Sequence, residues 1–231
     1  MWIFNLEQKL YSNVPNMTER IYSFIDELII NLDKGIRTVF GDPEPTGRVR
    51  PTAGIEETEP LTEVERRVAE GLMRVNHAGE ICAQALYQGH ALTTHSALVR
   101  EKMAQSAWEE NDHLLWCAER VRELNGHTSY LNPCWYLGSL SIGVFAGLVG
   151  DRWSLGFVAE TEHQVVRHLD SHLKRLPASD VKSRAIVDQM RKDEAHHATV
   201  AIETGAVVLP LVVKRCMGSC AKVMTSLAYW V

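Results

Sequence analysis

Strand-like alternation of polar and apolar residues is almost absent from Thr62 onward, which excludes a sheet-built domain and leaves helices as the only regular element. No Cys-x-x-Cys occurs among the five cysteines (Cys82, Cys117, Cys134, Cys216, Cys220), so thiolate zinc sites and dithiol redox pairs are excluded, and buried reduced thiols of a cytoplasmic protein are expected. There is no basic patch interleaved with aromatics, and formal charge is −5, so nucleic acid is excluded as a partner. No Gly-x-Gly-x-x-Gly is present to cradle a dinucleotide in the usual way, and no organic-cofactor residues are assigned. The opening Met1-Trp-Ile-Phe-Asn-Leu-Glu lacks a basic stretch and a cleavage site, so no signal peptide is expected; Met17 is a second candidate start.

What remains is enough chain, 231 residues, for one sizeable core with an appendage. Residues 1–60 form that appendage. An amphipathic helix is expected from Thr18 to about Phe40, followed by a Pro- and Gly-rich linker from Gly41 to Pro60, and neither receives a role. Residues 61–231 read as helix after helix. Thr62-Glu63-Val64-Glu65 is a capping box for a helix to about Leu92. Further helices are expected over Ser96–Leu124, Trp153–Leu176, from the Ser179-Asp180 cap to about Thr204, and over Ala206–Tyr229.

Four glutamates, Glu80, Glu110, Glu162 and Glu194, fall on the apolar stripes of the four main helices. Two are followed three residues later by histidine, giving Glu110/His113 and Glu194/His197, and the lone glutamates precede these pairs by 30 and 32 residues. With 20 glutamates and 10 histidines in the chain, about one Glu-x-x-His is expected by chance, so position on the helix has to discriminate. Glu110 and His113 align with Met103, Ala107, Leu114, Cys117 and Val121, whereas Glu194 and His197 align with Val187, Met190, Ala198, Ala201 and Ile202. The third pair, Glu160/His163, turns away from a stripe of Val158, Val165, Val166, Leu169, Leu173 and Leu176 that takes in Glu162. Glu80 shares a face with Met73, Ala83 and Tyr87.

A carboxylate facing a bundle core is costly unless a cation meets it. Four carboxylates and two imidazoles in the repeated order Glu…Glu-x-x-His are the ligand set of a di-iron or di-manganese four-helix bundle. Oxygen and imidazole donors without thiolate suit a hard to borderline octahedral ion rather than structural zinc. Glu110 and Glu194 are expected to bridge two ions, with Glu80/His113 and Glu162/His197 as terminal ligands. Asp193 and Glu109, each one residue before a ligand glutamate, are candidates to reach the opposite histidine. His77 and His168 are further candidates near the site, and Cys117 a candidate cavity-lining group.

Arg74-Val-Asn-His-Ala-Gly-Glu80, Trp108-Glu-Glu-Asn-Asp-His-Leu114, Glu160-Thr-Glu162…His168 and Asp193-Glu-Ala-His-His197 resemble the demethoxyubiquinone hydroxylase family of ubiquinone biosynthesis, over about residues 62–231. The resemblance implies an all-α, ferritin-like four-helix bundle carrying an extra apolar crossover and a C-terminal helix. It implies two iron ions per chain on Glu80, Glu110, His113, Glu162, Glu194 and His197, and a catalytic role for His168. The implied reaction is an O₂-dependent monooxygenation that hydroxylates a polyprenylated methoxy-methyl-benzoquinol. The extra N-terminal segment is similar to the bacterial branch of that family.

Leu124 through Gly150 carries no charged side chain, and its 16-residue apolar centre is shorter than the roughly 20 residues of a membrane-crossing helix. Two readings stand: a buried crossover helix, and a surface that dips into one leaflet assisted by the cationic last helix. The second would let a lipid-dissolved quinol enter from the membrane surface and puts the protein at the cytoplasmic side of the bacterial cell membrane as a peripheral protein. A homo-oligomer is compatible with either reading. The rivals are a ferritin- or rubrerythrin-like iron oxidase or peroxidase, which would have no use for the uncharged stretch, and a non-catalytic bundle, which would bind no iron.

Overall fold

A computed structural model describes residues 23–231 apart from Asp42 and Thr58. The N-terminal part of the expected first helix, before Ser23, lies outside the described residues. The chain divides into two units, residues 1–34 and 35–231. Among the described residues there are seven helices and no strands: α1 (Phe24–Phe40), α2 (Glu63–Thr93), α3 (Ala97–Glu123), α4 (Asn132–Val149), α5 (Asp151–Arg175), α6 (Val181–Glu203) and α7 (Leu211–Ala228).

Local chemistry sets the helix ends close to where the sequence puts them. Thr62 accepts from the Glu65 amide while the Glu65 carboxylate accepts from the Thr62 amide, so the capping box is complete. Ser96 caps α3 and Asp180 caps α6. Asn125, at φ 58°, reverses the chain after α3, and the Gly126 amide closes on the Val121 carbonyl. The last helix begins five residues later than expected, because Pro210 supplies its N-cap and Ala206–Leu209 runs free of helix.

α2 packs along α3 and α5 along α6, and these two hairpins meet through α3 and α6 to make the four-helix bundle. α4 carries the chain between the hairpins and lies against α2. Two glycines permit that approach: a Cβ on Gly89 would stand 2.6 Å from the Leu140 carbonyl oxygen, and one on Gly143 would stand 2.5 Å from that of Leu86. Gly150, at φ 125°, turns α4 directly into α5, which therefore begins at Asp151 rather than Trp153.

The buried crossover reading of α4 does not hold. Only Asn132, Tyr136, Gly143 and Gly147 are buried, on the face toward α2, while Leu137, Phe145 and Leu148 are 62%, 70% and 69% exposed. α7 adds exposed Leu211, Val212, Val223 and Leu227. No helix among the described residues is long and apolar enough to cross a membrane.

The bundle interior has two apolar ends. One holds Leu72, Met73, Trp116, Val121, Leu169, Ile186 and Met190. The other holds Tyr87, Val99, Met103, Leu155, Val158 and Ala201. On each of the four bundle helices the predicted glutamate lies between residues of these two clusters, so a polar layer crosses the middle of the core. Arg120, almost fully buried, ties α3 to the start of α6 through Asp180 and Ser183.

Candidate metal centre

The structure brings all six predicted side chains into that layer, each at most 4% exposed. Glu110 places Oε2 2.8 Å from His113 Nδ1 and Oε1 3.0 Å from His197 Nδ1. Glu194 does the converse, with Oε1 3.1 Å from His113 Nδ1 and Oε2 3.3 Å from His197 Nδ1. Each of these carboxylates therefore spans both histidines. Glu80 reaches His113 Nδ1 at 4.0 Å, and donor atoms of Glu80, Glu110, His113 and Glu194 all lie within 4.8 Å of one another. Glu162 closes the opposite end beside Glu194 and His197, with Oε1 accepting a 2.7 Å hydrogen bond from the Tyr87 hydroxyl.

The outward nitrogens of the two imidazoles are held across the bundle. His113 Nε2 pairs with Asp193 Oδ2 at 2.9 Å, and His197 Nε2 with Glu109 Oε2 at 2.8 Å. Each carboxylate thus serves the histidine of the other helix, as the spacing suggested. With Nε2 engaged outward, each Nδ1 faces the glutamates and is the ligand nitrogen of choice.

The electrostatics reflect four carboxylates in a dry layer. Burial, then Glu110 and Glu194, push the Glu80 carboxyl well above its ordinary range, and burial, Glu194 and Glu110 do the same to Glu162. Burial disfavours the imidazolium of His113, but Glu110, Asp193 and Glu194 outweigh it and raise the pKa well above 6.5. The same balance takes His197 up to about 12. Burial also opposes ionisation of Glu110, yet His113 and His197 together hold it below the usual carboxylate range.

This donor set fits a pair of hard cations. It offers carboxylate oxygen and imidazole nitrogen only, and the nearby Cys117 thiol is kept protonated, chiefly by burial. Glu110 Oε1 is buried beside His197 Nδ1, 3.0 Å away, but makes no well-aligned hydrogen bond, which leaves it acceptor capacity for a cation. Two divalent ions would neutralise four glutamates.

Other candidates separate from the layer. His77 is buried near Arg122 rather than among the glutamates, with a pKa lowered to about 4 by burial and then by that cation. His168 lies against His172 with ring centroids 3.9 Å apart and planes tilted by 58°, and its buried Nε2 is unpartnered. Glu160 is outside the layer as expected but not solvated: it is buried and bonded to Lys214, 2.8 Å away, and Gln164, 3.0 Å away. Ile202, expected on the inner face of α6, is 51% exposed, because α6 is covered only as far as Ala201 at that end.

Sequence reasoning did not foresee two features. Tyr87, which shares the apolar stripe of Glu80, is the hydrogen-bond partner of Glu162. The Pro- and Gly-rich segment after α1 is no slack linker: Thr46 bonds Asp112, Arg48 bonds Asp193, Arg50 bonds Glu123 and Glu57 bonds Arg120. The only available sign was its run of arginines, Arg48 and Arg50, opposite acidic positions on helices that pair only in three dimensions.

A cavity of about 1200 Å³ leads to the layer. Glu80, Glu162 and Glu194 line it, with His168 and Leu169. Its outer walls are Trp135 and Ile142 of α4 and Leu211, Met217 and Val223 of α7. Ile142, Leu211 and Val223 are exposed, so the cavity opens between the two helices that carry the uncovered apolar surface.

Residues 67–228 match the family model described as ubiquinone biosynthesis protein COQ7. The chain belongs to the COQ7 family. A protein of Nitrosococcus oceani named 3-demethoxyubiquinol 3-hydroxylase is 57% identical over 215 residues, covering 93% of this chain and 100% of that protein. Proteins of the same name from Chromobacterium violaceum and Nitrosomonas europaea are 55% and 51% identical, covering 89% and 90% of this chain and 98% and 99% of their own lengths. In this COQ7 chain the matched region takes in every residue of the buried layer, whereas the strap of residues 43–57 lies before it.

Proposed function

We propose that this protein is a 3-demethoxyubiquinol 3-hydroxylase of ubiquinone biosynthesis, working through two iron ions held by Glu80, Glu110, His113, Glu162, Glu194 and His197. Its close full-length relatives carry that name. The observation that supports the two-ion reading is that Glu110 and Glu194 each offer one oxygen to each histidine, the disposition of two bridging carboxylates between two terminal sets. Glu80 with His113, and Glu162 with His197, complete those sets.

Bound iron would supply the redox chemistry with O₂ that side chains cannot provide. The chain's own share is geometry and exclusion of water. Asp193 and Glu109 orient the imidazoles, and Tyr87 holds one oxygen of Glu162 and steers its other toward the site. The cavity admits a flat quinol ring to the glutamate face, and His168 is among the residues that line it. Beyond the ring, the apolar walls from α4 and α7 suit an isoprenoid tail. The exposed apolar face of α4 and the cationic Arg215 and Lys222 of α7 suit peripheral attachment to the cytoplasmic side of a membrane, from which such a substrate would enter.

The experiment is metal analysis of protein purified without chelator, together with quinol hydroxylation in lipid vesicles. Near two irons per chain and iron-dependent hydroxylation are expected. Stoichiometric zinc would overturn the iron assignment. Ferritin-like iron loading without hydroxylation would favour the iron-oxidase rival.

A further inference from the structure

The strap of residues 43–57 touches the metal centre at one residue. Arg48 Nη2 lies 2.6 Å from Asp193 Oδ2, the same oxygen that stands 2.9 Å from His113 Nε2. The guanidinium also sits 5.2 Å over the Trp116 ring, and that ring lies 5.5 Å from the His113 imidazole. Arg48 therefore bears on His113 both through the carboxylate and through the indole. Its place is set on both sides in sequence. Two residues earlier, the Thr46 amide and hydroxyl bond the two Asp112 oxygens at 2.8 and 2.5 Å. Two residues later, Arg50 pairs with Glu119 at 3.2 Å and Glu123 at 2.6 Å.

The other histidine has no such support. Its partner Glu109 accepts from Gln105 at 2.7 Å, a neutral donor on its own helix, and Arg48 acts on it only through space. Asp193, by contrast, is gripped on both oxygens, by Arg48 and His113 on Oδ2 and by Gln189 on Oδ1 at 2.9 Å. A partly exposed aspartate on a helix edge has several rotamers open to it, and a charge-assisted bond to a guanidinium selects one of them. A carboxylate bonded behind a ligating histidine, as Asp193 is behind His113, alters metal affinity by about 10–100-fold.

We propose that Arg48 is a positioning residue for the metal centre: by locking Asp193 onto His113 it makes the strap part of the site and renders the ion at the His113 end less labile than it would otherwise be. The proposal rests on the two-ion reading above. It assigns a role to a segment before the region that the family model matches, and the role is specific to one of the two ions.

The test is the rate of ferrous iron release to a chelator from the full-length protein, comparing wild type, Arg48→Gln, Arg48→Lys and Arg50→Gln, with thermal melting of each as a check on folding. Wild type should release two irons per chain. Arg48→Gln should release one of them roughly tenfold faster and the other at the wild-type rate, and Arg48→Lys, which keeps the charge without the fork, should recover part of the loss. Arg50→Gln, which loosens one of the two anchors that place Arg48 but leaves its bond to Asp193, should accelerate that release by clearly less than Arg48→Gln. Unchanged release from Arg48→Gln with a normal wild-type stoichiometry would overturn the proposal alone, as would equal acceleration of both irons or the same acceleration in Arg50→Gln. A wild-type protein that holds fewer than two irons would instead sink the two-ion reading and this inference with it.

Discussion

Six histidines are buried or nearly so in this bundle, and they fall into two groups that behave in opposite ways. His113 and His197 sit among carboxylates and are driven toward the imidazolium form, His197 up to about 12. His77, His90, His168 and His172 are driven, chiefly by burial, toward the neutral form, His77, His90 and His168 to about 4 and His172 to about 2. Burial acts in the same direction on all six. What differs is whether a glutamate faces the ring, so a buried histidine by itself says little about a metal site, whereas a buried Glu-x-x-His on a helix facing a second one says a great deal.

Breaking the first group should have the largest consequence. Glu194→Ala removes the oxygens that face both imidazoles, and iron content and hydroxylation are both expected to fall by more than about a hundredfold, measured by metal analysis and product formation. Tyr87→Phe is milder. It removes one hydrogen bond to Glu162 and should weaken retention of one iron by about tenfold in a chelator-competition assay, with little change in fold.

The second group is sharpened by pH. His172 has a folded pKa far below its unfolded value of about 6.5, so the unfolded chain binds the extra proton first as pH falls. Its contribution to stability is therefore fully present above pH 6.5 and is lost below it, at about 1.4 kcal/mol per pH unit. Urea unfolding of metal-free protein between pH 6 and 4 should show a shallower pH slope in His172→Asn by about that amount. The smallest effect is expected from His196→Ala. His196 adjoins His197 in sequence but is exposed on the outer face of α6, and iron content should stay at the wild-type value with stability within about 0.5 kcal/mol.

The difference between the two groups also explains what could be read from the chain alone. Glu110/His113 and Glu194/His197 were legible because three-residue spacing on a helix puts both side chains on one face, and apolar neighbours three, four and seven residues away reveal which face is inward. The same rule set Glu160 aside, and it does lie outside the layer, although the lysine that pairs with it, Lys214, comes from a different helix far along the chain. His77 and His168 were ambiguous because a lone histidine carries no such internal check. The exposure of α4 was likewise undecided, since an uncharged run looks the same whether protein or lipid is to cover it.

By itself the sequence determined the helices, their caps and the inward face of each bundle helix, because these depend on contacts within one or two turns and recur with the helical period. Tertiary structure alone decided that Tyr87 holds Glu162, that a proline-rich segment lies across α3 and α6 with Arg48 on Asp193, and that a cavity opens between α4 and α7. Those pairings join residues 75 to 145 positions apart, as Tyr87–Glu162 and Arg48–Asp193 do. No local period marks such partners; they exist only once the packed helices have brought the two faces within hydrogen-bonding distance.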